Sequence, residues 1–317
     1  MDFTSFLNTI ATLFVMMAVG FFAGKVSIID STTSKKLSEI IIKIAQPALI
    51  ISSLIKIEYS AQNLSLGLKS FAFGITVHLL MGVVAYVACL KIKNLNERKI
   101  IEFSMIFGNT GFIGIPILQS LLGDIGAFMA SFIVASFNIL MWTLGISILG
   151  RKRDDIKLTL KKALVNKGTI PSVIGFAIFV LPAFIGGFKL PTFVTSSFSY
   201  ISSLCTPISM LIIGALLASR SVKQVFGSGK VYYMCAFKLI VMPLLVCVGM
   251  KLLGFSELWI LFATAITAMP SATSVSMLAE MYDIEPAFSA QGVGTASLLA
   301  IATLPLVVSV AQWVVTL

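Results

Sequence analysis

The chain has 317 residues, 58% of them hydrophobic and only 11% charged, with 23 Lys and Arg against 13 Asp and Glu for a net charge of +10. Charged residues make up about a quarter of an ordinary soluble domain, so this composition, with a mean hydropathy of +1.02, excludes a water-soluble globular protein. It also removes nucleic acid as the natural explanation of the positive charge: in a lipid-embedded chain what matters is where the cations fall.

A hydrocarbon core of about 30 Å takes roughly 20 apolar residues in a helix. Eight runs free of Asp, Glu, Lys and Arg meet that length, at 3–24, 70–90, 103–123, 125–150, 168–188, 190–219, 258–279 and 286–317. Two more, 37–55 and 231–250, are as apolar but carry Lys43 and Lys238. The expectation is an all-α membrane protein of ten transmembrane helices. The first run follows only Asp2 and is not followed by a small-residue cleavage site, so it reads as a retained helix. In chain order, span 2 holds Gln46-Pro47-Ala48-Leu49-Ile50, and span 3 holds His78, the only histidine. Span 4 holds Gly108-Asn109-Thr110-Gly111-Phe112-Ile113-Gly114-Ile115-Pro116, and span 5 holds Asn138 and Trp142 one turn apart. After the polar run Arg151-Lys152-Arg153-Asp154-Asp155 come Thr206-Pro207-Ile208-Ser209-Met210 in span 7, Lys238 in span 8 and Ala268-Met269-Pro270-Ser271-Ala272-Thr273-Ser274 in span 9. Cys89, Cys205, Cys235 and Cys247 form no Cys-x-x-Cys pair and have no histidine cluster beside them, so they read as packing residues, and no metal or cofactor is expected. No Gly-x-x-x-x-Gly-Lys-Ser/Thr run occurs, which leaves passive or gradient-driven transport.

The connections after spans 1, 3, 5 and 7 carry seventeen Lys and Arg, those after spans 2, 4, 6 and 8 only four. The positive-inside rule makes the first set cytoplasmic. The expectation is a multi-pass protein of the plasma (inner) membrane with both ends outside the cytoplasm. The run at 151–167 then reads as a solvated linker facing lipid headgroups rather than a nucleic-acid site. It divides five spans from five, 1–155 from 156–317, and two related units of five helices must insert in opposite senses, the inverted repeat common among secondary transporters. Proline spacing agrees: 69 residues separate Pro47 from Pro116 and 63 separate Pro207 from Pro270.

A proline inside a helix removes a backbone hydrogen bond and clashes with the preceding turn. Non-helical backbone at membrane depth is tolerated only against protein or a wet cavity, and paired interruptions in inverted halves point to a transporter's binding site. Gly108, Gly111 and Gly114 alone would read as a close helix-packing face. Asn109 and Pro116 in the same run, mirrored by Pro270, Ser271, Thr273 and Ser274, tip the reading to a site. The candidate substrate-binding residues are therefore Asn109, Thr110, Gly111, Gly114 and Pro116, with Pro270, Ser271, Thr273 and Ser274 opposite and Asn138 on span 5. Pro47 and Pro207 support the helix breaks. Asn109 offers its amide to substrate or to a freed backbone group, and helix N-termini at such a break favour an anion. Lys43 and Lys238 read either as intramembrane anion ligands or, preferred here, as snorkelling side chains, each eight residues from a cytoplasmic lysine, Lys35 or Lys230. His78 reads as hydrogen-bonded packing or as a proton relay. Asn138 and Trp142 face either the cavity or a neighbouring helix. No carboxylate falls at mid-span, which weakens an ion-coupled mechanism without removing it, since carbonyls and hydroxyls also hold sodium.

The run Gly108 to Pro116, with Ala45-Gln46-Pro47-Ala48-Leu49-Ile50, Lys238-Leu239-Ile240-Val241-Met242-Pro243-Leu244-Leu245, Met269-Pro270-Ser271-Ala272-Thr273 and Leu278-Ala279-Glu280-Met281-Tyr282, resembles the auxin efflux carrier family over essentially the whole chain. The resemblance is to its bacterial members, often labelled organic-acid permeases, and through them to plant PIN auxin exporters and, more distantly, bile-acid sodium symporters. It implies ten helices with helices 4 and 9 crossing at their prolines. Helices 1, 2, 6 and 7 would form a dimerising scaffold, with helices 3–5 and 8–10 moving as an elevator. A homodimer follows from the resemblance, with Gly20 and Gly24 in span 1 as a small-residue contact. The leading expectation is a secondary transporter for a small organic anion. Its rival is sodium- or proton-coupled uptake of a dicarboxylate such as malate or malonate. Outside carriers stands a channel or membrane-embedded sensor. An enzyme is not expected, because one histidine and no mid-span acid provide little chemistry.

Overall fold

The computed structural model describes residues 3–156, 169–186, 188–218 and 227–316, and the side chains from residue 8 onward. Among them every extended element is helical. In chain order these are α1 (Phe3–Lys25), α2 (Ser31–Ile40), α3 (Gln46–Ile55), α4 (Ala61–Ala88), α5 (Leu95–Ile106), α6 (Ile115–Leu140) and α7 (Ile146–Leu149). Then follow α8 (Thr169–Val180), α9 (Thr192–Ser203), α10 (Cys205–Ala218), α11 (Gly229–Ala236), α12 (Met242–Leu252), α13 (Glu257–Thr267), α14 (Thr273–Met281) and α15 (Pro286–Thr316). Single π-helical turns, Ile41–Ala45, Met141–Gly145 and Phe237–Val241, carry α2 into α3, α6 into α7 and α11 into α12. Among the described residues seven continuous runs, including 110–149, are long and apolar enough to cross a membrane, with two shorter apolar helices at Thr169–Ala183 and Glu257–Thr267. The longest run is not one rod: Gly123 sits at φ 70°, ψ −160°, and two helices meet there. A glycine takes that backbone without a Cβ penalty. The outer faces are greasy, with Phe22, Val83, Leu252 and Trp313 more than half exposed. Water would penalise that surface and lipid does not.

Local sequence explains the element starts. Asp30 caps α2, its Oδ1 accepting from Thr33 N at 2.7 Å. Asn94 caps α5 by accepting from the amides of Asn96 and Glu97. Both satisfy amides that a helix's first turn leaves free.

The described chain forms two compact units. The first comprises Met1–Ile75, Gly111–Ile139 and Leu160–Ser219. Its tightest joint is α1 on α10: a Cβ on Gly20 would lie 2.3 Å from Leu211 O, and one on Gly214 would lie 2.0 Å from Met17 O. The Gly24 position is as close, 2.8 Å from the Ala215 Cα. In lipid, helices associate by close van der Waals approach rather than by excluding water, so small residues set the contact. Gly20 and Gly24, read from sequence as a contact between subunits, are thus occupied inside one chain. Beside this joint Ile41, Ala45, Cys205 and Ile212 form a core with Phe112 and Ile208 packed against it. Phe128, Phe132, Phe176 and Phe179 make a chain of ring contacts with centroids 5.2–6.4 Å apart.

The second unit comprises Thr76–Thr110, Leu140–Thr159 and Arg220–Leu317. Gly145 lets the Phe103 ring reach the backbone of the Met141–Gly145 turn, where a Cβ would stand 2.4 Å from it. At the polar end of α5 the buried Glu102 accepts from Arg98 at 2.7 Å and from both terminal nitrogens of Arg151. Both guanidiniums lie over the Tyr86 ring, at 4.9 and 5.8 Å. This triad ties the end of α4, α5 and the segment after α7 together. Nearby, the bidentate Arg153 holds the exposed Asp155 carboxyl down to about 2, while burial and the neighbouring Arg153 and Arg151 push Lys99 below its usual range.

Candidate functional site

Both runs singled out in the sequence contain a break, but the first is confined to Phe107–Asn109, and Pro116, expected to hold it open, lies inside the following helix. α5 stops at Ile106, Phe107 turns extended (φ −94°, ψ 104°), and helical backbone resumes only with the π turn Thr110–Gly114 that leads into α6. α13 stops at Thr267 and α14 starts at Thr273, with Ala268 to Ala272 non-helical between them. Proline disfavours helical backbone in the residue before it, so Pro270 keeps Met269 from continuing α13.

The broken segments pair with each other. Gly108 and Ser271 face one another in an antiparallel bridge. Asn109 N donates to Pro270 O at 2.7 Å, and Ala272 N donates to Phe107 O at 2.9 Å. Ser271 Oγ donates to Ser104 O at 3.0 Å, satisfying a carbonyl near the frayed end of α5. Thr110 folds back on the same loop, its amide donating to Gly108 O at 2.8 Å. Several of the backbone groups freed by the breaks are thus satisfied by protein, as membrane depth requires. The assembly is closed to solvent: Asn109 is 4% exposed, Thr110 3% and Ser271 0%.

The structure thus brings together Asn109, Thr110, Pro270 and Ser271, with Thr273 and Ser274 opening α14. No side chain caps that helix, and Ser274 Oγ is buried without a hydrogen-bond partner, as is Ser104 Oγ. The other predicted residues belong to the first unit. A Cβ on Gly111 would stand 2.7 Å from Gln46 Nε2, so the Gln46-Pro47 step packs on that backbone. Gly114 is buried and Pro116 sits half-buried in the first turn of α6, a position where proline fits a helix without breaking it. Asn138 turns its amide onto its own helix, Nδ2 donating to Val134 O at 2.8 Å. Pro47 opens α3 behind a π turn, and Pro207 lies in the first turn of α10 after the break at Leu204.

The two mid-span lysines part company. Lys43 is exposed and pairs with Glu39 at 2.6 Å, one turn away. Lys238 is 1% exposed, so it does not snorkel. Its ammonium lies 3.1 Å from the point where a Gly108 side chain would begin, and Met269 O lies 3.3 Å from that same point. The lysine head therefore sits against the bridge. The sequence offers Lys238 as an anion ligand, since it is an ionisable residue in an apolar run, but snorkelling stands ahead of that reading because its surroundings in the chain match those of Lys43. His78, 4% exposed, packs its ring 5.6 Å from Phe107 at the same break.

All-helical architecture, a lipid-like surface and two helices broken and paired within the apolar layer define a multi-pass membrane protein with a polar crossing in its interior. The chain belongs to the membrane transport protein family, which matches residues 5–308, the family of the auxin efflux carriers. It is similar to a protein of Methanocaldococcus jannaschii described as an uncharacterized transporter, 28% identical over 88% of this chain and 90% of the relative. An uncharacterized transporter of Methanothermobacter thermautotrophicus is 22% identical over 96% of this chain and 98% of its own. A Rhizobium meliloti protein, whose name assigns it malonate transport only provisionally, is 24% identical over 63% of each chain. Family and relatives alike mark a membrane transporter.

Proposed function

We propose that this membrane transporter is a secondary carrier for a small organic anion, bound at the crossing of the two broken helices and moved by alternating access. The observation that carries the reading is the pairing of Phe107–Asn109 with Pro270–Ala272, buried and polar, with a lysine ammonium against it. Broken helices that cross at depth are where secondary transporters bind substrate, and the uncapped amides of α14 add positive potential there. The wider architecture belongs to the same proposal: ten crossings arranged as inverted halves 1–155 and 156–317, an elevator motion of helices 3–5 and 8–10 against a scaffold of helices 1, 2, 6 and 7, a homodimer, and both ends outside the plasma membrane. Gly123, the two breaks and the short helix Thr169–Ala183 support ten crossings from seven long runs.

The resting potential alone drives efflux of a monoanion by about 2.3 kcal/mol per 100 mV. The name of the Rhizobium relative favours malonate as a substrate; a second reading is sodium- or proton-coupled uptake of such a dicarboxylate. Counterflow in proteoliposomes under imposed voltage, sodium and proton gradients separates the two. Flux that follows voltage and ignores ions supports the carrier without coupling; flux that needs an ion gradient replaces it with the second reading. Unitary currents in planar bilayers would sink both in favour of a channel.

A further inference from the structure

Lys238 is among the largest fully buried side chains of the protein. It sits on the π turn Phe237–Val241, which packs against α5, α11, α12 and α15. α15 contains no ionisable residue, and neither do the broken segments 107–110 and 268–272. α11 contributes Lys230, Tyr232, Tyr233 and Cys235, and α12 contributes Cys247 and Lys251. The carboxylates on these neighbours are Glu97 and Glu102 of α5, and both are engaged: Glu97 holds Lys230, and Glu102 holds Arg98 and Arg151. Among the described residues no side chain or backbone group forms an ion pair or hydrogen bond with the Lys238 ammonium.

A buried charge without a partner is costly, and intramembrane cations are ordinarily paired. The Lys238 amine, a cation when protonated, lies against the bridge, where Gly108 has no side chain to cover it. We propose that Lys238 is a substrate-binding residue whose ammonium pairs with a carboxylate of the transported anion. The pairing sets charge selectivity: an uncharged analogue of the same shape leaves the ammonium alone in the interior and is rejected. Beside the bridge, Met269 lies against Gly108, and the Phe103, Phe107 and His78 rings pack one on the next. One cation beside the bridge fits a small carboxylate, which accepts a charge-assisted hydrogen bond from an ammonium. This inference rests on the crossing being the transport site.

The test uses the full-length protein in proteoliposomes with malonate, acetate and benzoate as probes, and malonamide as the uncharged control. Lys238→Met keeps length and removes charge; Lys238→Arg keeps charge; Lys43→Met serves as the control lysine. Anion flux falls at least tenfold in Lys238→Met, recovers in part in Lys238→Arg and is unchanged in Lys43→Met, while the preference for malonate over malonamide collapses only in Lys238→Met. A ligand-free measurement accompanies it: removing a lone buried charge leaves the melting temperature of Lys238→Met equal to or above wild type. Wild-type flux and anion preference in Lys238→Met overturn the proposal and leave the carrier reading standing. A melting temperature several degrees lower overturns it as well, because the lysine is then structural. Failure of wild type to move any of the three anions sinks the carrier reading, and this inference with it.

Discussion

Pro270 and Asn109 act through the backbone as much as through side chains. Pro270 O accepts the Asn109 amide, and the ring keeps Met269 out of helical geometry. Pro270→Ala restores an N–H and lets α13 extend toward α14, lengthening or breaking the bridge. The protein should still insert, since Pro270 lies between helices and alanine adds no bulk there, yet transport should drop about tenfold or more. Asn109→Ala retains the amide that bonds Pro270 O and loses only the side chain, so binding should weaken with normal folded yield. Pro116→Ala separates two explanations. Its place in the first turn of α6 tolerates alanine, so an effect much smaller than that of Pro270→Ala is expected. Leu90→Ala, on an exposed position, is the neutral control. Transport at wild-type level in both Pro270→Ala and Asn109→Ala would reduce the breaks to packing features. At this scale Pro270 was legible as a breaker, because proline acts on its own backbone and on the residue before it, whereas Pro116 was not, since a proline in the first turn of a helix breaks nothing. Lys238 and Lys43 were not separable: burial is decided by which helices pack on the turn, and a lysine in an apolar run looks the same in either case.

Helices here associate through missing side chains. With Gly20, Gly24 and Gly214 the backbones of α1 and α10 touch, and Gly214 meets a backbone carbonyl that cannot step aside. Gly214→Leu must push the helices apart, and overpacking of this kind costs about 1–3 kcal/mol. A melting temperature lowered by several degrees, with reduced yield of folded protein, is the expected outcome in detergent thermal unfolding. An unchanged transition would mean that the joint is dispensable. Small residues at helical spacing were visible in the sequence as a contact face, but the pattern does not say whether the partner helix comes from the same chain or another. The Gly123 boundary was readable, since Gly123-Asp124 separates two apolar runs. The π turns at Ile41–Ala45 and Phe237–Val241 were not. One extra residue in a turn leaves apolar periodicity almost untouched, although each turn is followed within two residues by a proline, Pro47 or Pro243. Proline leaves the carbonyl four residues back without its helical donor, and a π turn is one way to reassign that acceptor.

For the molecule as a whole, the distribution of Lys and Arg sets the expected orientation, and the cysteines make it easy to test. Cys89, Cys205, Cys235 and Cys247 are all free and buried, so an introduced cysteine reports alone without removing them. Lys189→Cys, between α8 and α9, should react with a membrane-impermeant maleimide on intact cells, whereas Asp154→Cys should react only after permeabilisation. The reverse pattern would invert the topology. The bridge at the crossing also has a consequence for how the chain is made. Ser271 and the Ser104 carbonyl it satisfies lie 167 residues apart, and the same distance in synthesis time separates the opening of the first break from the arrival of its partner. Until α13 and α14 enter the bilayer, Phe107 O and Asn109 N have no mate from the second segment, and unpaired backbone in hydrocarbon costs several kcal/mol per group. A nascent chain is therefore vulnerable through much of its translation, kept from lipid by insertion machinery or by unwinding of the break toward water. A chain stopped after Leu252 carries the first break permanently unmatched. It should be degraded several-fold faster than full-length protein in pulse-chase, and the same truncation with Gly108→Leu and Asn109→Leu, which lets α5 run on as helix, should recover much of its lifetime. Equal turnover of full-length and truncated chains would show that the first break finds other partners while it waits.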